Sequence, residues 1–149
     1  MTLEDKSSIE VAINGVSITG NKISGEGGLG GGIYFENTSL AIHDYTFQIN
    51  LNYGTISGNS STSKGGGIYV YKEKVEANAV DAKTLTVSGN KSGYGAGIYI
   101  EDGSLEMAHG TITDNHTTGS GNGGGIYIEN GDFTIKDGEI SGHLQTSVA

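Results

Sequence analysis

Gly66-Gly67-Ile68-Tyr69-Val70 is one of four copies of a short motif in this chain. The other copies are Gly31-Gly32-Ile33-Tyr34-Phe35, Ala96-Gly97-Ile98-Tyr99-Ile100 and Gly124-Gly125-Ile126-Tyr127-Ile128. Alternation of side chains along a strand predicts that each isoleucine faces a core and each tyrosine faces outward. Four such strands in one chain indicate a repeat protein.

A second motif precedes each of these strands. It places an apolar residue between two hydroxyl-bearing residues and ends in Gly-Asn or a close variant. The copies are Ser17-Ile18-Thr19-Gly20-Asn21, Thr55-Ile56-Ser57-Gly58-Asn59, Thr86-Val87-Ser88-Gly89-Asn90, Thr111-Ile112-Thr113-Asp114-Asn115 and the degraded Glu139-Ile140-Ser141-Gly142-His143. We expect the asparagines to stack into a structural ladder at one corner of the repeat, with a polar ligand site as the alternative.

A third element lies seven residues before the central apolar residue of the second motif. Its apolar pairs are Val11/Ile13, Ile49/Leu51, Val80/Ala82, Leu105/Met107 and Phe133/Ile135. The same offset in five places indicates one repeated structural unit.

The spacing of these elements predicts the fold. The second motif recurs after 38, 31, 25 and 28 residues, at positions 18, 56, 87, 112 and 140. Three short strands in a turn of about 25 residues are typical of a single-stranded parallel β-helix, whereas a propeller blade needs about 40 residues. The sequence therefore predicts an all-β solenoid of about five coils, with three short strands per coil stacked about 4.8 Å apart.

The variable spacing predicts where the repeat is lengthened. We expect loop insertions at 38–48 and 71–78, projecting from one edge of a single domain that spans 1–149. Because both ends run almost directly into strand patterns, we also expect the chain to be a fragment of a longer protein.

The composition argues against several classes of function. The chain is glycine-rich, with 27 Gly, no Pro and no Cys, and it carries a net charge of −9. The absence of Arg and the acidic balance argue against nucleic-acid binding. No stretch is long and apolar enough for a transmembrane segment, and the N-terminus lacks the apolar core of a signal peptide.

The two motifs together resemble the β-helix repeats of bacterial polymorphic outer-membrane proteins and of pectin-lyase-like surface proteins. The resemblance covers nearly the whole chain. It implies a right-handed parallel β-helix, an extracellular or bacterial cell-surface location and an adhesin-like role. It is specific for the fold and says little about activity, because such repeats also occur in polysaccharide-degrading enzymes.

No catalytic constellation is recognisable in the sequence. The pectin-lyase-like enzymes use Asp clusters with a Lys or Arg, but this chain has no Arg and no two adjacent Asp. Glu101 and Glu129 could approach each other on neighbouring coils, as a glycosidase pair must, but a solvated acidic face is the simpler interpretation. We therefore expect no enzyme activity, no catalytic residues, no cofactor and no metal site.

Two outward-facing rows are candidate binding surfaces. The first contains the repeated tyrosines, followed two residues later by mostly acidic positions: Tyr34, Tyr69, Tyr99 and Tyr127, with Glu36, Tyr71, Glu101 and Glu129. Aromatic faces beside carboxylates can hold sugar rings, so this strip is a candidate glycan site; stacked tyrosines that stabilise the sheet are the alternative. The second row, the hydroxyl residues of the second motif, resembles the flat array of an ice-binding solenoid.

The sequence thus predicts a non-catalytic extracellular β-helix module with an adhesin-like binding or structural role. Its partners would be glycans or a host or neighbouring cell surface, and exposed solenoid ends could support end-to-end self-association. A fragment of a carbohydrate-active lyase or hydrolase is the main alternative, and an ice-binding solenoid is the minor one.

Overall fold

The computed structural model of the protein describes residues 8–36, 46–77 and 83–145. The described residues form β-strands, turns and bends, and no helix is found among them. The strands are β1 Ser8–Thr19, β2 Ile33–Glu36, β3 Thr46–Ser57, β4 Ile68–Ala77, β5 Leu85–Ser88, β6 Lys91–Ser92, β7 Ile98–Thr113, β8 His116–Thr117, β9 Ile126–Ile128, β10 Asp132–Ser141 and β11 Leu144–Gln145. Within these ranges there is also no helical segment able to cross a membrane.

All strand pairings between these elements are parallel, and each joins equivalent positions of successive repeats. The larger sheet contains β1–β5, β7, β9 and β10, and the smaller one contains β6, β8 and β11. Ile33 pairs with Ile68, Ile68 with Ile98, and Ile98 with Ile126. The predicted register of the isoleucine motif is therefore confirmed, as is the all-β class.

Stacked aliphatic side chains form the core between the strands. Ile56, Val87 and Ile112 form one fully buried column, and Ile68 and Ile98 lie in another. Burying each such side chain stabilises the fold by roughly 1.5–3 kcal/mol relative to exposure. The burial of the first column decreases towards the last repeat, where Ile140 is exposed.

The asparagine ladder is present at the corners of the first four repeats, and a histidine takes the corner of the last. The Oδ1 of Asn90 accepts hydrogen bonds from the backbone N–H and the Nδ2 of Asn59, at 2.9 and 3.1 Å. Its own Nδ2 donates to Oδ1 of Asn115 at 2.9 Å and to the carbonyl of Ile56 at 3.0 Å. Asn21 and Asn59 repeat the same bond pattern. At the last rung Nδ1 of His143 accepts the N–H of Asn115 at 3.3 Å.

The ladder explains why the second glycine of the isoleucine motif is invariant in this chain. A Cβ on Gly67 would lie 2.9 Å from Nδ2 of Asn90 and 2.6 Å from the carbonyl oxygen of Gly97. A Cβ on Gly97 would meet Nδ2 of Asn115 at the same 2.9 Å. The asparagine and glycine motifs are thus two halves of one packing contact, because the amide occupies the space that a side chain would need.

Three details of the predicted repeat differ from the structure. The position predicted for Val80 in the third element is taken by Val75, which pairs with Ile49 on one side and Leu105 on the other. Val80 and Ala82 lie outside the described residues. The spacing from the isoleucine of the preceding strand was the better guide, because Ile68 to Val75 and Ile98 to Leu105 are both seven residues.

The predicted loop at 71–78 is consequently wrong for residues 71–77, which continue β4 beside β7. The extra residues of this repeat lie instead between Ala77 and Leu85. The predicted loop at 38–48 also overlaps β3 at its end, whereas residues 37–45 lie outside the described part.

The predicted three short strands per repeat are also not separated in every repeat. In β7 one strand of 16 residues runs through all three predicted segments. It can do so because the chain changes direction at bulges and glycines without losing its hydrogen bonds to the neighbouring repeats. The two-residue strands β6, β8 and β11 form an additional segment that the sequence patterns did not indicate.

Replacing Asn90 with alanine should lower the free energy of unfolding by about 3 kcal/mol, because it leaves several buried polar groups of Asn59, Asn115 and Ile56 without partners. Urea denaturation followed by circular dichroism would measure the change. Asn130→Ala is the matched control, because the Asn130 amide lies on the surface, where it donates to the Asp102 side chain at 3.4 Å. A loss for Asn90→Ala no larger than for the control would contradict a stabilising role for the ladder.

Candidate functional site

The four tyrosines of the isoleucine motif form one continuous stack. Ring centroids are 5.0 Å apart for Tyr34 and Tyr69, 5.5 Å for Tyr69 and Tyr99, and 5.0 Å for Tyr99 and Tyr127. The planes are inclined by only 9° to 15°. In-register parallel strands about 4.8 Å apart impose this spacing on any aromatic row. The structure therefore brings the predicted tyrosines together as one strip.

The centre of this strip is covered. Tyr69 and Tyr99 are only 2% and 3% exposed, whereas Tyr34 at the end of the row is 40% exposed. The expectation that all four phenols face water is thus wrong for the two central ones. Their faces are occupied by neighbouring rings, so a sugar ring could reach only the edges of the row or its terminal face.

A glycine turn contributes to this cover. Gly65 has a φ of +66°, and a Cβ placed on it would lie 2.9 Å from Cβ of Tyr69. Gly95 stands in the same relation to Tyr99. The chain turns in the left-handed region at this point and lies directly against the base of the tyrosine, which only glycine allows without strain. The repeated feature is therefore Gly-x-Gly-Ile-Tyr, with a third glycine position that the shorter motif omitted.

The two acids at the centre of the strip are bonded to the tyrosines. The Tyr69 hydroxyl donates to Oε2 of Glu101, and the Tyr99 hydroxyl donates to Oε2 of Glu129 at 2.5 Å. Each bond joins one repeat to the next. Burial and then the bond to Glu101 raise the pKa of Tyr69, and burial followed by the bond to Glu129 raises the pKa of Tyr99 to about 12.

The outer end of the strip is arranged differently. Burial, followed by a hydrogen bond and charge repulsion from Glu36, raises the pKa of Tyr34. Tyr71, predicted to stand in the acid row beside Glu101, pairs with Asp102 instead, because a bulge interrupts the register after Val70. The acid row is therefore discontinuous at this repeat.

Lys64 completes the strip and was not identified from the sequence. Its Nζ lies 3.3 Å from Oε2 of Glu101, 3.5 Å from Oε2 of Glu129 and 4.8 Å from the centre of the Tyr99 ring. Burial lowers the pKa of Lys64, but the contacts with Tyr99 and Glu101 outweigh it and leave the pKa above its ordinary value. In the sequence only its position could have pointed to Lys64: it immediately precedes the turn glycine Gly65, as Tyr94 precedes Gly95.

The phenols, carboxylates and ammonium group of the strip bond to one another. The hydrogen bond from Tyr99 and the charge of Lys64 lower the pKa of Glu129. Both central carboxylates are already engaged by a phenol and an ammonium group. Within the described ranges, no three His, Asp or Glu side chains cluster closely enough to hold a metal ion.

The hydroxyl row of the second motif is also in register. Thr55 pairs with Ser17 and Thr86, and Thr86 pairs with Thr111. Glu139 takes the equivalent place in the last repeat. The row is exposed in the first repeat and half-buried in the following three.

Comparison with known proteins gives one family match. A model of the Chlamydia polymorphic membrane protein repeat matches residues 54–71. The matched segment runs from the second motif at Thr55 through the isoleucine motif ending at Val70, and so includes Asn59, Lys64 and Tyr69. No curated protein and no solved structure gave a significant match to the chain. The match supports the resemblance to the polymorphic membrane proteins, whereas the pectin-lyase-like resemblance stays a prediction.

The raised pKa of the central phenols gives a prediction for alkaline titration. Absorbance at 295 nm should show Tyr99 ionising near pH 12, while the same phenol in urea titrates near its ordinary value of about 10. Because the pKa is raised in the folded state, the stabilising contribution is complete below about pH 10 and is lost as the pH rises through about 12.

The variant Tyr99→Phe identifies the phenol that titrates late. Its folded-state titration should lack one high-pH component, and its alkaline unfolding should lose the corresponding pH dependence. If all eight tyrosines of the folded wild type titrated together near pH 10, the bonded arrangement of the strip would be refuted.

Proposed function

We propose that the chain is a non-catalytic, surface-associated β-helix module that supplies a structural scaffold and an adhesin-like binding surface. The observation that carries this proposal is the polymorphic membrane protein repeat at residues 54–71. Its elements recur in register in the adjoining repeats: Ile68 lies between Ile33 and Ile98, and Thr55 between Ser17 and Thr86. The matched repeat is therefore representative of most of the described chain.

The proposed architecture is a right-handed parallel β-helix of about five coils. Parallel pairing between successive repeats supports a continuous winding, because each repeat must return to the same side of the preceding one. Crossover connections between parallel strands of one sheet are right-handed in roughly 98% of cases. The column Ile18, Ile56, Val87, Ile112 and Ile140 provides one position in each proposed coil.

A bacterial cell-surface or outer-membrane location follows from the same repeat and is part of the proposal. The acidic balance of the chain, −9, is compatible with a soluble and exposed module.

The carboxylates of the strip support the non-catalytic interpretation. A glycosidase needs one carboxylic acid whose pKa is raised, so that it is protonated and can donate to the leaving group. The pKa of Glu129 is instead lowered by Tyr99 and Lys64, and Glu101 is bonded to Tyr69 and Lys64. Both acids are organised to hold neighbouring repeats together.

We also propose that the tyrosine strip is primarily structural. Its rings stack on each other, and its hydroxyls and Lys64 satisfy the adjacent acids. A glycan would have to displace these bonds or bind at the exposed Tyr34 end. Under the glycan hypothesis the sugar would therefore contact Tyr34 rather than Tyr99. Tyr34→Ala is accordingly the variant that distinguishes glycan binding from a structural role.

Tyr99→Ala should lower the free energy of unfolding by about 3 kcal/mol, because it removes a buried ring from the middle of the stack. Tyr34→Ala should cost less, about 1 kcal/mol, because that ring packs against one neighbour and is partly exposed. Urea denaturation measures both. The folded Tyr34→Ala protein should keep any signal that the wild type gives on a glycan array; loss of that signal with an intact fold would establish the strip as a glycan site.

The adhesive role is tested with the whole chain coupled to fluorescent beads. Coated beads should adhere to cultured epithelial cells more than albumin-coated beads, and free chain should compete. Adhesion equal to that of albumin beads would contradict a binding role. The same protein should release no new reducing or unsaturated ends from a panel of polysaccharides; release that disappears in Glu101→Gln would overturn the non-catalytic assignment.

A further inference from the structure

A cleft on the outer face of the smaller sheet has no role in the strip or the ladder. It has a volume of about 240 Å³ and is lined by Lys91, His116, Thr117, Thr118 and Leu144. Lys91 pairs with His116, and His116 with Leu144, so these three residues occupy consecutive rungs of one column. The next residues along β6 and β8, Ser92 and Thr117, are buried.

The column presents a positive charge in an acidic protein. Lys91 is exposed, and among the residues that the structure describes it has no carboxylate within ion-pair distance. Lys64, by comparison, is held by two glutamates. The ammonium group of Lys91 is therefore available to an anion from solution.

His116 adds a directed hydrogen-bond donor. Its Nδ1 is buried with no hydrogen-bond partner in the described part of the chain. A proton on that nitrogen would be a buried donor without an acceptor, which costs more than an unused lone pair. The proton of the neutral imidazole therefore belongs on Nε2, from which it can be donated to a ligand.

The remaining walls favour a ligand with both polar and apolar surface. Thr118 is exposed and offers a hydroxyl, and Leu144 is 61% exposed and provides an apolar wall. The volume is below the roughly 300–1,000 Å³ of pockets for drug-sized molecules, so it suits a single small ring. A sugar ring has this combination of hydroxyls and an apolar C–H face.

We propose that this cleft binds an acidic saccharide unit through its carboxylate or sulfate group. Lys91 supplies the charge, His116 Nε2–H and the Thr118 hydroxyl supply hydrogen bonds to the anionic group or ring hydroxyls, and Leu144 packs against the ring. The choice of a saccharide rests on the proposed surface role, whereas the preference for an anion rests on the cleft itself.

The test is a titration of the whole chain with sodium glucuronate, with a sulfated monosaccharide, with glucose and with inorganic sulfate at constant ionic strength. The readout is the imidazole Cε1–H resonance of His116, assigned by its absence in His116→Gln. Glucuronate or the sulfated sugar should shift this resonance saturably, and which of them binds tighter identifies the anionic group. Glucose and inorganic sulfate should bind at least tenfold more weakly.

Matched variants separate a site from general charge attraction. Lys91→Gln should weaken saccharide binding at least tenfold. Lys22→Gln is the control, because Lys22 lies in the same outward column beyond Ser60 and does not line the cleft. Equal effects of the two variants would reduce the interaction to nonspecific attraction and overturn the proposal.

The other outcomes are equally decisive. Binding of glucose as tight as that of glucuronate would exclude the role of Lys91, and equal binding of inorganic sulfate would show an adventitious anion only. No saturable shift with any saccharide would also refute the site. Failure of bead adhesion alongside intact, Lys91-dependent glucuronate binding would contradict the proposed surface role and leave the cleft assignment standing.

Discussion

The contact between each corner asparagine and the neighbouring glycine is the constraint on which the rest of the structure depends. The Asn90 side chain satisfies buried polar groups of the repeats before and after it, and it fits only because Gly67 has no Cβ. An asparagine ladder of this kind needs strands in register, since a shift by one residue would place a different side chain at the corner. Registration in turn places isoleucine on isoleucine in the core and tyrosine on tyrosine outside it. Packing and hydrogen bonding therefore specify the same alignment.

The tyrosine strip shows how a repeat can use its outer surface for stability. In a single strand, an outward tyrosine would be largely exposed. Stacking at about 5 Å, together with a glycine turn lying against its base, buries the central rings almost completely. The hydroxyl groups then need acceptors, which the glutamates of the following repeat provide. Lys64 forms ion pairs with the glutamates. The strip is therefore a second packed cluster outside the aliphatic core, and its polar groups are hydrogen-bonded or ion-paired to one another.

Much of the fold could be predicted from the sequence because its motifs repeat with a fixed chemical pattern. The register of Ile33, Ile68, Ile98 and Ile126 and the asparagine ladder followed from spacing alone. The position of Val75 was missed because two offsets competed, and in this repeat the chain keeps the offset from the preceding isoleucine strand rather than the offset to the following second motif. Burial of Tyr69 and Tyr99 could not be deduced from alternation, which distinguishes two faces but does not reveal what covers the outer one. Lys64 and the Lys91–His116 pair were missed because the residue type at these positions changes from one repeat to the next. Only their positions, next to Gly65 and next to the corner asparagines, distinguish them in the sequence.

The bonding of Asn90 to both neighbours also limits how such a chain can change over evolutionary time. A substitution at one corner leaves polar groups without hydrogen-bond partners in two other repeats. A single replacement therefore destabilises the fold wherever the ladder is continuous. Other residues are tolerated only at the end of the ladder, where His143 replaces asparagine. Added length between Ala77 and Leu85, by contrast, leaves every rung intact. Proteins built on this repeat should therefore differ mainly in the length and composition of the segments between repeats, while the corner residues change little.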